Sequence, residues 1–243
     1  MQVVILCGGR GTRAYPYTEH TPKPMLPVCG RPILRHVMNI YASQGHTEFV
    51  LALGYRKEVI IDYFQDRTNN WKVELVETGD DTDTGERILR CAEYLDDTFF
   101  ATYSDGLGNV DLDALLRFHQ SHAGQATLTA VPLPTNYGTV EFDADGCISV
   151  FREKPVIRDR WINAGFFVFE KSVLRQWKGT NLERDVLPEL GRRGLLYAYR
   201  HLGFWKSMDS YKDHQDLERI LRGDSHICEV SAVPCNGMTV PAE

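Results

Sequence analysis

Short apolar runs alternating with segments of helical period set the strongest limit on how this chain folds. Val3–Leu6 opens the series and runs directly into Gly8-Gly9-Arg10-Gly11-Thr12-Arg13. After a proline-rich loop, Ile33, Leu34, Val37, Met38, Ile40 and Tyr41 recur at helical spacing, and Gly45 ends the pattern. Strands are predicted over 49–53, 72–76, 99–103 and 126–131. Helices are predicted over 56–64 and 86–95, with a further one capped by Asp111 and running to His122. Such alternation with short connections predicts an α/β fold: a mostly parallel sheet flanked by helices on both faces. In these sheets the ligand crevice lies beyond the carboxyl ends of the strands. Residues 8–13, after the first strand, and Ser104-Asp105-Gly106, after the fourth, therefore belong to one edge.

The second half changes character. Residues 139–142, the turn Asp143-Ala144-Asp145-Gly146 and residues 147–152 read as a hairpin, with further strands over 161–169 and 195–200. This is an inserted β-rich lobe that walls a second ligand site over the sheet. Ser210 is placed to cap a helix after Asp209, and no pattern is readable after Gly223.

Composition excludes several classes. With 43% hydrophobic and 25% charged residues in 243, the chain reads as soluble and globular. A net charge of −6 argues against a nucleic-acid partner, which leaves a basic footprint. The apolar run 3–7 is too short for a secretory leader or a membrane span. Cys7, Cys29, Cys91, Cys147, Cys228 and Cys235 lie far apart without CxxC spacing, so neither a zinc site nor a disulfide framework is expected. A reducing cytoplasm is the expected compartment. The eight histidines show no metal-ligand spacing.

The chemistry is carried first by the glycine loop. Adjacent glycines let main chain approach phosphates and aim N–H groups at them. Arg13 can fork across phosphate oxygens, and Lys23, inside Thr21-Pro22-Lys23-Pro24-Met25, adds a point charge. The loop has neither the Walker GK[ST] ending nor the dinucleotide spacing.

The string GxGTR, nine residues and then Lys23 resembles the signature of the sugar-1-phosphate nucleotidyltransferases, and the resemblance runs to about Leu221. Val76-Glu77-Thr78-Gly79-Asp80 with Thr84-Gly85, Tyr103-Ser104-Asp105-Gly106, Phe166-Phe167-Val168 and Phe204-Trp205-Lys206-Ser207-Met208-Asp209 look most like the glucose-1-phosphate cytidylyltransferases. Two features depart from them: Ser104 replaces a usual glycine, and the stretch between Phe64 and Trp71 is short. The resemblance implies a Rossmann-like fold, Mg²⁺ dependence, and CTP and glucose 1-phosphate as substrates. It implies one domain over 1–222, in which 1–131 mainly holds the nucleotide and 132–209 mainly the sugar phosphate, followed by a tail over 223–243. Homo-oligomers are common among such enzymes.

On this reading Leu6, Gly8, Gly9, Gly11, Thr12, Arg13, Lys23, Thr78, Gly79, Thr84, Gly85, Ser104 and Asp105 bind the nucleotide, with Arg13 and Lys23 catalytic. Taken alone, Asp105 and Asp209 are turn or cap residues. Taken with the signature they are Mg²⁺ ligands, since that ion takes one or two carboxylates plus phosphate oxygens and waters. Tyr137, Gly138, Glu153, Lys154, Asn163 and Gly165 line the sugar-phosphate pocket by the same resemblance. The same reaction with dTTP, UTP or GTP, or with a heptose 1-phosphate or phosphonate acceptor, stays open. A catalytically silent nucleotide-sugar-binding regulator is the competing class. Such a protein could lose Arg13, Lys23 or an aspartate, whereas all four are present.

Overall fold

The computed structural model describes residues 1–65 and 70–223. The predicted tail after Gly223 and most of the short stretch between Phe64 and Trp71 lie outside those residues. In the first half one unit repeats. β1 (Val3–Leu6) leads through the glycine loop and the small ladder of β2 (Pro27–Val28) and β3 (Arg31–Pro32) into α1 (Ile33–Ala42). Then come β4 (Glu48–Leu53), α2 (Lys57–Phe64), β5 (Lys72–Glu77), α3 (Thr84–Arg90) and β6 (Thr98–Tyr103). The second half holds β7 (Gly106–Gly108), α4 (Leu112–Gln120), β8 (Ala126–Pro134), β9 (Thr139–Phe142), β10 (Ile148–Arg152) and β11 (Val156–Glu170). It closes with α5 (Leu187–Arg192), β12 (Leu196–Arg200), β13 (Trp205–Ser207) and α6 (Tyr211–Leu221).

Seven strands form the main sheet in the order β12-β8-β11-β6-β1-β4-β5. Neighbours run parallel except around β11, which is antiparallel to both β6 and β8. The mostly parallel, Rossmann-like sheet expected from the alternation is therefore present. Strand alternation explains its two cores. Val3 and Ile5 face the side covered by α1, α2, α4 and α6, where Val37, Ile60, Leu115 and Leu217 are buried. Val4 and Leu6 face α3 and α5, with Ile88, Val186 and Leu190.

The chain moves outward from β1 to β4 and β5, then returns to the other side of β1 as β6. That reversal is a topological switch point, where the loops after adjacent strands diverge and leave a crevice. In register, Leu6 lies beside Ala52 and Tyr103, so the segments after β1, β4 and β6 leave the sheet at one level.

The strands over 161–169 and 195–200, expected in the inserted lobe, are β11 and β12 of the main sheet, so of that lobe only the β9–β10 ribbon stands apart. Three elements differ further from the sequence expectation. The helix over 86–95 is α3 followed by a separate 3-10 turn at Ala92–Tyr94. The helix predicted to reach His122 ends at Gln120, because Ser121 Oγ donates to Phe118 O and the His122 ring turns to Thr127. The strand over 161–169 starts at Val156. Its early part pairs with Leu133 and Pro134 across a register shift between Ile157 and Trp161. The charged run Arg158-Asp159-Arg160 sits in that shift and hides the strand's apolar pattern.

Candidate active site at the switch point

Asp105 follows β6 and Asp209 precedes α6, and a two-stranded ladder joins them. β7 and β13 pair antiparallel with Gly106 opposite Ser207, and Met208 N donates to Asp105 O at 2.9 Å. Ser210 caps α6 in a capping box with Asp213, which fixes the helix cap one residue after Asp209. Ser207 Oγ donates to Asp209 Oδ2 at 2.9 Å.

Both carboxylates then meet one ammonium. Lys23 Nζ lies 2.5 Å from Asp105 Oδ2 and 2.9 Å from Asp209 Oδ1, and Arg13 Nη2 lies 3.0 Å from that same Asp209 oxygen. Lys23 is 7% exposed, on a 3-10 turn bracketed by Pro22 and Pro24. Burial opposes ionisation of Asp209, but Lys23, Ser207 and Arg13 together outweigh it and hold its pKa below the usual carboxylate value. Two converging hard oxygen donors fit a Mg²⁺ ion that takes its other ligands from phosphate and water. Among the described residues there is no cluster of three or more His, Cys, Asp or Glu side chains able to hold a metal by themselves.

The glycine loop is organised from below. Gly11 has φ +62 and starts the 3-10 turn carrying Thr12 and Arg13, and Thr18 Oγ1 donates to Gly11 O. Beneath it lies a group the sequence reading missed. Arg87, 3% exposed, donates to Gly8 O at 3.0 Å, Leu53 O at 3.1 Å, Thr78 Oγ1 at 2.7 Å, Gly79 O at 2.7 Å and Asp80 O at 3.2 Å. Desolvation lowers its pKa, with Asp80 pulling the other way. A Cβ on Gly8 would meet this guanidinium at 2.1 Å, which accounts for glycine there. One buried cation thus ties the 8–13 loop to the 78–80 loop, and Arg10 to Asp81 at 2.8 Å bridges them on the surface. The available signal was Arg87 on the same inward face of α3 as Ile88, a charge where the period calls for an apolar residue.

The remaining predicted residues fall into three places. Leu6 is buried at the end of β1, Gly9 is exposed, and Ser104 is buried beside Asp105. Thr78 is fully buried, and its hydroxyl donates to Leu53 O at 2.6 Å. Gly85 is buried where a Cβ would meet Thr180 O at 2.8 Å. Thr84 joins a second convergence, again unforeseen: Glu183 accepts from Thr84 Oγ1 at 2.7 Å and from the Tyr103 hydroxyl, and Asn163 Nδ2 contacts that hydroxyl at 3.1 Å. Burial and the Glu183 carboxylate push the Tyr103 phenol upward. Gly165, at φ +81, leaves room for the Tyr103 ring, which a Cβ would meet at 2.3 Å. The other sugar-pocket candidates sit at the base of the β9–β10 ribbon. There Gly138 lies under Phe151 and Glu153, Lys154 pairs with Glu153 at 3.0 Å, and Tyr137 is 81% exposed. Among the described residues, no hydrogen bond or ion pair joins this ribbon group to the Lys23 cluster.

The arrangement offers cations and main-chain amides for several phosphates at one level, a carboxylate pair for a divalent ion, and hydroxyl-binding groups further along the crevice. Comparison with known proteins points the same way. The family described as "Nucleotidyl transferase" matches residues 2–209. A glucose-1-phosphate cytidylyltransferase of Salmonella typhi is 38% identical, over 90% of this chain and 95% of that protein. The mannose-1-phosphate guanylyltransferase catalytic subunit beta of Danio rerio is 34% identical, over 88% of this chain and 62% of that protein. In fold, the crystal structure of HddC from Yersinia pseudotuberculosis superposes with a TM-score of 0.72 at 24% identity, over 90% of this chain and 98% of that one.

Proposed function

We propose that this chain, which belongs to the nucleotidyl transferase family, joins CTP to glucose 1-phosphate and releases pyrophosphate. Nucleotidyl transfer from a nucleoside triphosphate to a sugar 1-phosphate is the family's reaction. The choice of CTP and glucose 1-phosphate draws on the 37–38% identity to three glucose-1-phosphate cytidylyltransferases over 90–95% of this chain. The observation that carries the reading is the convergence of Asp105, Asp209, Lys23 and Arg13 beyond the carboxyl ends of β1 and β6.

In this reading an oxygen of the sugar phosphate attacks the α-phosphorus of CTP in line. A new P–O bond forms as the α–β bridging P–O bond breaks, and the pair passes to departing pyrophosphate. The attacking phosphate is already ionised near neutral pH, so no general base is required. Catalysis is then positioning and charge neutralisation. Arg13 and the amides of residues 8–13 hold the triphosphate, and Lys23 lies between the triphosphate and sugar-phosphate positions. Asp105 and Asp209 would hold Mg²⁺, which supplies Lewis-acid neutralisation of phosphate charge. Thr84 and Gly79 border the base. Asn163, Glu153, Gly138 and Tyr137 offer bonds or close main chain to the sugar, and Lys154 pairs with its phosphate.

A second donor deserves a place in the test because a guanylyltransferase relative is 34% identical. Pyrophosphate release is measured with CTP, dTTP, UTP and GTP against glucose 1-phosphate, mannose 1-phosphate and a heptose 1-phosphate. Preference for CTP with glucose 1-phosphate supports the reading. Preference for another pair redirects it, and tight nucleotide binding without release in any pair points to a silent regulator. The reading also places the enzyme in the cytoplasm, which suits the free thiols of Cys7, Cys29, Cys91 and Cys147. Among the described residues no helix is long and apolar enough to cross a membrane. Assembly into a homo-oligomer is tested by light scattering.

A further inference from the structure

The Lys23 ammonium occupies the very oxygens that the proposed function needs for a divalent ion. Its Nζ is 2.5 Å from Asp105 Oδ2 and 2.9 Å from Asp209 Oδ1. A Mg²⁺ ion bonds oxygens at about 2.0–2.1 Å, so ion and ammonium compete for the same space and charge. Lys23 cannot retreat as a whole residue. Pro22 and Pro24 flank it, its 3-10 turn is closed by Leu26 N donating to Lys23 O, and its Cβ lies beneath Gly11. Freedom is left only along the side chain, whose stem passes under the glycine loop. Arg13 adds a second cation on Asp209, so the two carboxylates are matched by two cations of the chain itself.

We infer that Lys23 is an exchangeable counter-ion: it neutralises Asp105 and Asp209 until a triphosphate arrives, then transfers its ammonium to phosphate oxygens and frees the carboxylates for the divalent ion. The inference rests on the proposed function for the nature of the anion, but its prediction concerns binding order. Metal and nucleotide binding are coupled through one side chain, and such coupling is reciprocal. The ion alone meets carboxylates already neutralised and binds weakly. The nucleotide draws the ammonium away and strengthens ion binding. The exchange needs no covalent step, only the movement of one charge between two sets of oxygens.

The test uses the full chain, Mn²⁺ as the probe ion and a triphosphate analogue with a non-hydrolysable α–β bridge. Mn²⁺ affinity is read by calorimetry or by loss of the free-ion paramagnetic signal, without and with the analogue. In the unaltered protein, saturating analogue is expected to tighten Mn²⁺ binding beyond what the analogue's own phosphates give in solution. In Lys23→Met, Mn²⁺ binding without analogue is expected to tighten at least ~10-fold, since a full charge a few ångströms away has been removed. The gain on adding analogue should shrink by a comparable factor. Equal Mn²⁺ affinity for Lys23→Met and the unaltered protein in the absence of analogue overturns the inference. If Lys23→Met does not fold, the ammonium resonance of Lys23 in the unaltered protein serves instead. It should shift on adding analogue without metal, and an unmoved resonance in the nucleotide-bound protein overturns the inference equally. Mn²⁺ behaviour as described in a protein that releases no pyrophosphate would sink the proposed function and leave the counter-ion role standing. Turnover with no Lys23-dependent Mn²⁺ coupling would do the reverse.

Discussion

Replacing Arg87 with methionine tests whether one buried cation sets the distance between the two loops of the nucleotide site. Methionine keeps most of the length and removes every donor. Leu53 O still receives Thr78 N at 2.9 Å, and Gly8 O still receives Tyr55 N at 3.1 Å. Gly79 O and Asp80 O take their bonds from the guanidinium at 2.7 and 3.2 Å. Gly79 and Asp80 are exposed and water can reach their carbonyls, so losing those two bonds costs about 0.5–1.5 kcal/mol each, and part is offset because a cation buried without a carboxylate partner is itself costly. With the lost bond to Thr78 Oγ1 included, a net loss of about 2 kcal/mol at roughly 2–4 °C per kcal/mol lowers Tm by about 4–8 °C for a chain of this size. Loops no longer held together should raise the KM for the triphosphate about tenfold, equivalent to about 1.4 kcal/mol. The kcat should fall far less, since Arg87 touches neither Asp105 nor Asp209. Arg87→Lys keeps the charge but cannot reach three chain segments at once, so it should rescue little of the KM effect. The assays are thermal denaturation and steady-state pyrophosphate release with varied triphosphate. An Arg87→Met protein that loses stability but keeps the original KM would show that the loops hold their own geometry, and the reasoning would fail.

Three further outcomes follow from other parts of the structure. Asp209 has a depressed folded pKa, so its ion-pair contribution is complete above the unfolded value and is lost as pH falls through the folded one. The Tm of the unaltered protein should therefore drop more steeply below about pH 4 than that of Asp209→Asn; parallel curves would refute the contribution. Thr127 Oγ1 bonds the rings of His119 and His122 at 2.8 and 2.9 Å, and His119 Nε2 reaches Glu170 at 3.0 Å. Thr127→Val should cost about 2–4 kcal/mol in denaturant unfolding while leaving every KM unchanged, and a catalytic defect in a stable variant would contradict a purely structural relay. Gly165→Ala forces a Cβ to within 2.3 Å of the Tyr103 ring at φ +81. It should destabilise by at least ~1 kcal/mol and raise the sugar-phosphate KM by displacing Tyr103 and Asn163, whereas unchanged kinetics would detach these groups from the sugar.

The fold was readable where periodicity is simple. Val3–Leu6, Glu48–Leu53 and Thr98–Tyr103 are buried on both faces and read as continuous apolar runs, and α1 has a clean inward stripe. It was less readable where a local bond overrides the period, as at Ser121 and His122, or where a shift in pairing accommodates Arg158, Asp159 and Arg160. In the candidate site, the meeting of Lys23, Arg13, Asp105 and Asp209 was legible because Arg13 and Lys23 have a signature spacing, Asp105 ends a strand at the crevice edge, and the resemblance adds Asp209. Arg87 and Glu183 were not, because their partners are main-chain carbonyls and hydroxyls of other segments, among them Gly8 and Leu53 for Arg87 and Thr84 and Tyr103 for Glu183. Carbonyls are present at every position and leave no trace in residue identity.

The proposed transfer requires Asp105 and Asp209 to work as one unit. Pyrophosphate release by Asp105→Asn, Asp209→Asn and the double variant, each shown to be folded by circular dichroism, measures this directly. Two ligands of one ion should each lose on the order of 10²-fold or more in kcat, and the double variant should fall little below the worse single one. A folded Asp209→Asn enzyme with near-normal turnover, or losses that multiply as though the two residues were independent, would contradict it.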